Sequence, residues 1–493
     1  MTSTVRLLTA MGSAMLLACG VVVLTIIGLP RSTAAAAERP NIVFVLTDDQ
    51  FPGTVNAMPA LQHNLVGQGV EFTNMTSAFP LCCPGRATIL RGQYAHNTHI
   101  YGNSLPAGGW EKFKNRGLQN STIATWLNNA GYETGLFGKY MNNYRGRSIP
   151  PGWDRWYAWN GPKEGWTSLN DQGTQKPLTR QEADPGVSAT ALRFLDNRVG
   201  QRAPVFAYVN FAAEHDPYPH AKSDNDRFRG VRVPRTASFN EANVSDKPST
   251  VRDLPPLSDS EVAELDKDYR DGLRSLMRVD RFIGRASDLL RQKGEMRNTY
   301  FVFYTDNGDH FGQHRFKHGK LQPYKEDTNF PLIVRGPGFD KRGVESGQLV
   351  GNQDIAPTLA RMGGANVPAF VDGRSFLPLA KNPSTAWPRT AVLSERENDG
   401  VAPNTWSTLR MRTKVYTRYG TSKQREFYDL TKDHYQVHNA LGPSDTTYPP
   451  PNSSTLGYYD KRLKALYACA GHEGPGSCVA AENAHVAPTG VAP

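Results

Sequence analysis

Apolar residues in this chain recur in two patterns. Short unbroken runs at 41–46, 133–137, 205–211, 300–304 and 330–334 are rich in β-branched and aromatic residues and do not alternate with polar ones. Such runs predict strands buried on both faces. Between them, apolar residues fall at helical spacing. Leu265, Tyr269, Leu273, Leu276, Val279, Ile283 and Leu290 predict a long helix over 265–292. Shorter helices are predicted over 58–68, 86–94, 122–130 and 355–362. Strands alternating with helices imply an α/β fold, a large and mostly parallel β-sheet sandwiched by helices. In that architecture ligands bind beyond the carboxyl ends of the strands. Polar clusters stand at those ends: Asp48-Asp49, Lys139, His215 and Asp306-Asn307 each follow one run.

The texture changes after Gly373. Segments 390–395, 409–418 and 425–430 predict short strands and a smaller C-terminal antiparallel-sheet subdomain. From residue 449 the chain is rich in Pro, Ser and Gly and reads as irregular. The expected organisation is a large domain over 39–385, an α+β subdomain over 386–465 and an irregular tail over 466–493. Ahead of these, Arg6, an apolar run over 7–29 and an alanine tract over 34–37 form the pattern of a secretory signal peptide over 1–38. The run is almost long enough to span a bilayer, so a membrane anchor is the other reading. Either way the chain is expected to be exported.

Composition narrows this further. Charged residues are 21% and hydrophobic ones 39%, ordinary for a globular protein. The net charge is +10, with no Lys/Arg block and no nucleic-acid motif. A nucleic-acid partner is therefore not expected. The charge fits a diffuse basic surface or a funnel for anionic substrates. Of the cysteines, Cys469 and Cys478 are the natural disulfide pair in an exported chain, and Cys82 and Cys83 stand in tandem. Asn74, Asn120, Asn243 and Asn452 head N-x-S/T sequons.

Two acid-bearing pairs after two buried strands suit a hard divalent cation, Ca²⁺ or Mg²⁺. Cys82 stands at the entry to a predicted helix, where backbone N–H groups favour an anion. Around it, Cys82-x-Pro84-x-Arg86 followed by Leu90-x-Gly92 resembles the signature of the type I, formylglycine-dependent sulfatases of the alkaline-phosphatase-like superfamily. Further segments carry the resemblance in the family's order. They are Gly138-Lys139-Tyr140, Glu214-His215-Asp216-Pro217, the block from Asp306-Asn307-Gly308 to Lys320, and then Asp354-Ile355-x-Pro357 and Asp372-Gly373-Arg374-Ser375. Met141 stands where many members have histidine. Together with Tyr94-Ala95-His96-Asn97-Thr98-His99, that position is similar to the N-acetylglucosamine-6-sulfatase-like branch. Gly85 replaces the serine common in the signature.

The resemblance implies an exported sulfatase that hydrolyses a sulfate ester, either a sulfated sugar or an aryl sulfate. Cys82, converted to formylglycine by a formylglycine-generating enzyme, would be the nucleophile. Asp48, Asp49, Asp306, Asn307 and Cys82 would surround one divalent cation, Ca²⁺ ahead of Mg²⁺. Arg86 would orient the nucleophile, Lys139 and Lys320 would hold the sulfate oxygens, and His215 would protonate the leaving alcohol. His96, His99 and His310 are candidates for the base that helps release sulfate. A phosphonate or phosphate monoester hydrolase on the same scaffold, and a catalytically silent binder of sulfated glycans, are the alternatives. Trp153, Trp156, Trp159 and Trp166 cluster in one loop and suit either a sugar platform or a local apolar core.

Overall fold

The computed structural model describes residues 39–161, 168–398, 405–444 and 446–484. The expected signal segment and Trp166 lie outside them. Among the described residues no helix is long and apolar enough to cross a membrane.

Ten strands form the main sheet: β1 (Asn41–Asp48), β2 (Val70–Phe72), β3 (Glu133–Gly138), β4 (Arg155–Asn160), β5 (Ser168–Asp171), β6 (Thr174–Pro177), β7 (Val205–Glu214), β8 (Thr299–Thr305), β9 (Leu332–Arg335) and β10 (Val344–Ser346). Their order is β10-β2-β9-β8-β1-β7-β3-β4-β5-β6. The central strands β8, β1, β7, β3 and β4 run parallel, with Phe44 level with Tyr208 and Val302. β9 pairs antiparallel to β8 and β2, and β5 and β6 extend the other edge antiparallel. Every residue of β1, β7 and β8 is buried, as a strand covered on both faces requires. Because these strands are parallel, Asp48, Gly138, Glu214 and Thr305 end on one edge of the sheet.

The helices packed around this sheet include α1 (Cys82–Arg91), α2 (Arg180–Arg198), α3 (Asp259–Gln292) and α4 (Ile355–Met362). Ser258 and Glu261 close a capping box at the start of α3, so that helix begins six residues before its apolar stripe. α1 starts at Cys82, four residues earlier than its periodicity predicts, and is buried along its whole length.

The C-terminal sheet consists of β11 (Ala391–Arg396), β12 (Trp406–Met411), β13 (Lys414–Tyr419) and β14 (Arg425–Asp429), all antiparallel. Two expectations are corrected here. The run 409–418 is a hairpin rather than one strand. Its turn is Arg412-Thr413, which carries none of the usual Gly, Asn or Pro signals. The stretch from 449 onward is not wholly irregular: among its described residues α5 (Ser453–Tyr467) and α6 (Cys478–Asn483) form and pack on the small sheet. Asn452 caps α5 by accepting from the Thr455 N–H at 2.8 Å, a role its polar, proline-led surroundings disguise. Cys469 and Cys478 form the disulfide between these helices. Leu393, Leu409, Tyr416, Leu463 and Leu466 share one core with Ala78 and Tyr94 of the larger part, so the small sheet buries its apolar face against that part.

Candidate active site

At the carboxyl edge of the sheet the chain turns sharply. Gly138 has φ 104°, and a Cβ there would lie 1.8 Å from the Asn210 carbonyl oxygen. Only glycine lets β3 end so close to β7 and deliver Lys139 beside Asp48. Gly85 serves α1 similarly: an added Cβ would meet the Asp306 carbonyl oxygen at 2.7 Å. The helix here lies directly on the segment after β8 that carries Asp306, leaving no room for a side chain at position 85 unless something shifts.

These close approaches gather the expected residues. Cys82 Sγ lies 3.7 Å from Asp48 Oδ1 and 3.8 Å from Asp49 Oδ1. Lys320 Nζ donates to both Asp49 oxygens and lies 3.0 Å from Cys82 Sγ. Lys139 Nζ donates to Asp48 Oδ2. Arg86, one turn into α1, donates through Nε to Asp306 Oδ2 at 2.8 Å, and through Nη1 to the Lys139 carbonyl at 2.9 Å and to Asn210 Oδ1 at 3.1 Å. Asn307 Nδ2 donates to Asp49 Oδ1 at 2.6 Å. His215 Nε2 lies 3.4 Å from Asp49 Oδ2, and its Nδ1 lies 2.8 Å from Asp216 Oδ1.

Burial sharpens the electrostatics. It would raise the Asp48 carboxyl, but Lys139 and Arg86 hold it far below the carboxylate range. Burial and the adjacent Asp48 push Asp306 up to about 6, against the pull of Arg86. Burial drives the Cys82 thiol up to about 12 despite Lys139 and Lys320, so as a plain cysteine it is neutral. Burial works against a charged His215, yet Asp49 and the hydrogen bond to Asp216 raise it to about 9. Three buried carboxylates in one place repel each other, and the Asn307 Oδ1 atom is buried with no hydrogen-bond partner. An all-oxygen donor set with one orphaned oxygen suits a hard cation. Asp48, Asp306 and Cys82, and likewise Asp48, Asp49 and His215, can each place one ligand atom of every member within 4.8 Å of the others.

Cys82, Lys139, His215 and Lys320 open into a cavity of about 280 Å³, whose wall also holds Asn103, Asn143, Trp159 and Arg180. A larger cleft of about 580 Å³ lies on the C-terminal sheet and contains none of these groups, so chemistry and not size marks the site. Of the three extra histidines, none lines the cavity. His96 pairs with Glu395 at 3.0 Å and reaches the Cys469 carbonyl. His99 stands beside Tyr101, and His310 is buried against Asp327 at 2.8 Å. Trp153, Trp156 and Trp159 are all core residues, and Trp159 also lines the cavity. Sequence reasoning missed Asn210. Its signal is a lone amide inside the apolar run of β7, and such a residue is kept where a buried group needs it, here the Arg86 guanidinium.

The sulfatase family model matches residues 40–365, and the model for the C-terminal part of N-sulphoglucosamine sulphohydrolase matches 312–448. The chain belongs to the sulfatase family. The chain is 35% and 34% identical to the extracellular sulfatase SULF-1 homologues of Caenorhabditis elegans and Drosophila melanogaster, over 69% and 73% of its length. It spans only 49% and 33% of those two chains. It is 29% identical to the N-acetylglucosamine-6-sulfatase of Capra hircus over 89% of this chain and 85% of that one. In fold, the chain matches a protein solved with its substrate D-glucosamine-2-N,6-O-disulfate, at TM-score 0.71 and 22% identity over 87% of this chain and 97% of that one. The phosphonate monoester hydrolase of Silicibacter pomeroyi shares the fold at TM-score 0.65 and 20% identity, over 86% and 94% of the two chains.

Proposed function

We propose that this sulfatase hydrolyses the sulfate ester of a sulfated sugar to an alcohol and inorganic sulfate. One observation carries the reading: Cys82, at the start of α1, lies against Asp48 and Asp49 and within reach of Asp306, with Asn307 bonded to Asp49, and it is faced by Lys139 and Lys320, which pair with those same acids. A single divalent cation held by the four oxygen-bearing residues, Ca²⁺ ahead of Mg²⁺, would supply charge neutralisation for the transferring group. An aldehyde made from Cys82 by a formylglycine-generating enzyme would supply, as its hydrate, an oxygen nucleophile that can later expel sulfate. The chain's own residues do the rest. Arg86, tied to Asp306 and Asn210, holds position 82 in register with the acids. Lys139 and Lys320 stabilise the charge that grows on the sulfate oxygens. His215, protonated through its acidic neighbours, gives its proton to the leaving oxygen as the S–O bond breaks.

A sugar substrate is favoured by the cavity wall, where Asn103 and Asn143 offer hydrogen bonds and Trp159 an aromatic face. The N-acetylglucosamine-6-sulfatase relative and the glucosamine disulfate held by a protein of the same fold support a 6-sulfated glucosamine. Export is supported by the extracellular relatives and by the disulfide.

The test has two parts. Mass spectrometry of the peptide spanning Cys82, from protein made in its native host, should show the aldehyde; a free thiol in folded protein would sink the mechanism. Parallel assays on glucosamine 6-sulfate and glucosamine 6-phosphate should show turnover of the sulfate. Faster turnover of the phosphate would move the reading to a phosphoester hydrolase.

A further inference from the structure

A second cavity, of about 340 Å³, lies where β12 meets the larger part of the chain. Lys325, Arg410, Arg412 and His434 line it with Asn74 and Asn329, and no carboxylate is among its lining residues. Arg410 Nη2 donates to Asn74 Oδ1 at 2.8 Å, while its Nε is buried with no hydrogen-bond partner. Burial, with no acid to offset it, lowers the Arg410 guanidinium to about 10. Lys325 Nζ lies 2.7 Å from His434 Nε2. Burial lowers Lys325 as well; Glu326 opposes this and Arg410 adds to it. Arg412 Nη2 donates to Gln348 Oε1 at 2.7 Å. Asn74, which heads a sequon, is 8% exposed and spends its amide on Arg410 and on the Arg412 carbonyl, so it serves this wall rather than carrying a glycan.

Arg412 and His434 are exposed at the rim of this cavity, whereas Arg410 and Lys325 are partly buried, and holding their like charges together costs free energy unless an opposite charge shares the space. The donors are planar guanidinium and ammonium groups, which suit a tetrahedral oxyanion. None of these residues belongs to the cavity that holds Cys82. We propose that this cavity is a second oxyanion site that takes a sulfate group, with Arg410 and Lys325 as its principal donors. The sulfate is either the free inorganic ion or a group borne by a glycan chain, and the same donors recognise both.

Isothermal titration of the full chain separates these sources without relying on catalysis. In a Lys139→Ala/Lys320→Ala background, which removes the lysines of the first cavity, sodium sulfate and a heparin-derived tetrasaccharide are titrated in turn. The expected result is one saturable site for at least one of them, weakened at least tenfold by Arg410→Gln and by Lys325→Gln. Saturable binding of sodium sulfate identifies the free ion; binding of the tetrasaccharide alone identifies a glycan-borne sulfate. Should Arg410→Gln fail to fold, Lys325→Gln, at a partly exposed position, carries the test. No saturable binding of either probe, or binding that both folded variants leave unchanged, would overturn the proposal. Since no ester is cleaved in this experiment, its failure is distinct from failure of the hydrolase reading.

Discussion

Lys320 and Lys139 each bring a positive charge into a space that already buries three carboxylates, and each contacts a different one. Their spare capacity is directed at whatever anion sits over Cys82. Lys320→Ala is expected to lower kcat on a sulfate ester by about 10²–10³-fold, the usual cost of losing one charge-stabilising donor. Steady-state kinetics checks this, with circular dichroism confirming the fold. His215 acts on the other side of the reaction. His215→Gln should lower kcat on a sugar sulfate by about 10²–10⁴-fold, while a nitrophenyl sulfate, whose leaving oxygen needs no proton, should lose far less. Equal losses on both esters would remove the proton-donor role. Asp48, Asp49, Asp306 and Asn307 were legible because each follows an apolar run. Asn210 was not, because its partner Arg86 is 124 residues away in sequence.

The decisive element is α1. Its N-terminus points Cys82 at the acids only because Gly85 lets the helix touch the Asp306 backbone. Gly85→Ser, although it restores the residue common in the family signature, should push α1 off the end of β8. A loss of about 1–3 kcal/mol in stability is expected from such overpacking, together with reduced kcat. Thermal unfolding and kinetics on the same preparation test it; a fully active, equally stable variant would show that the helix can shift freely. At this scale periodicity served well for β1, β7, β8 and α3, whose apolar residues face a core directly. It failed for the Arg412-Thr413 hairpin and for α5, where the signals are a turn without turn residues and a cap set in a proline-rich stretch.

The whole molecule depends on the seam between the large sheet and the C-terminal sheet. His96, one of the histidines that the sequence offers as a base, sits in that seam, between Glu395 and the Cys469 carbonyl. Burial lowers its pKa, but Glu395 raises it further, and the net shift is upward from 6.5. A group raised in the folded state contributes stability that is complete below its unfolded pKa and is lost as pH rises through the folded value. His96→Ala should therefore cost about 1–2 kcal/mol near pH 5.5, and less at pH 9, while kcat stays at the wild-type level. Melting curves across that range check the sign; a gap that widens with pH, or a collapse of kcat, would return His96 to the chemistry.

Short stretches of sequence were enough for the α/β architecture, the acids at the strand ends and the Cys82 signature. Each of these is written locally, in the burial of one run or the spacing of one motif. Tertiary packing settled which histidines join the site and that Asn210 holds Arg86. It also brought Asn74, Lys325, Arg410, Arg412 and His434 around one basic cavity. Those groupings arise from contacts between segments far apart in the chain, and no local period of apolar and polar positions encodes which side chains will meet across such a contact.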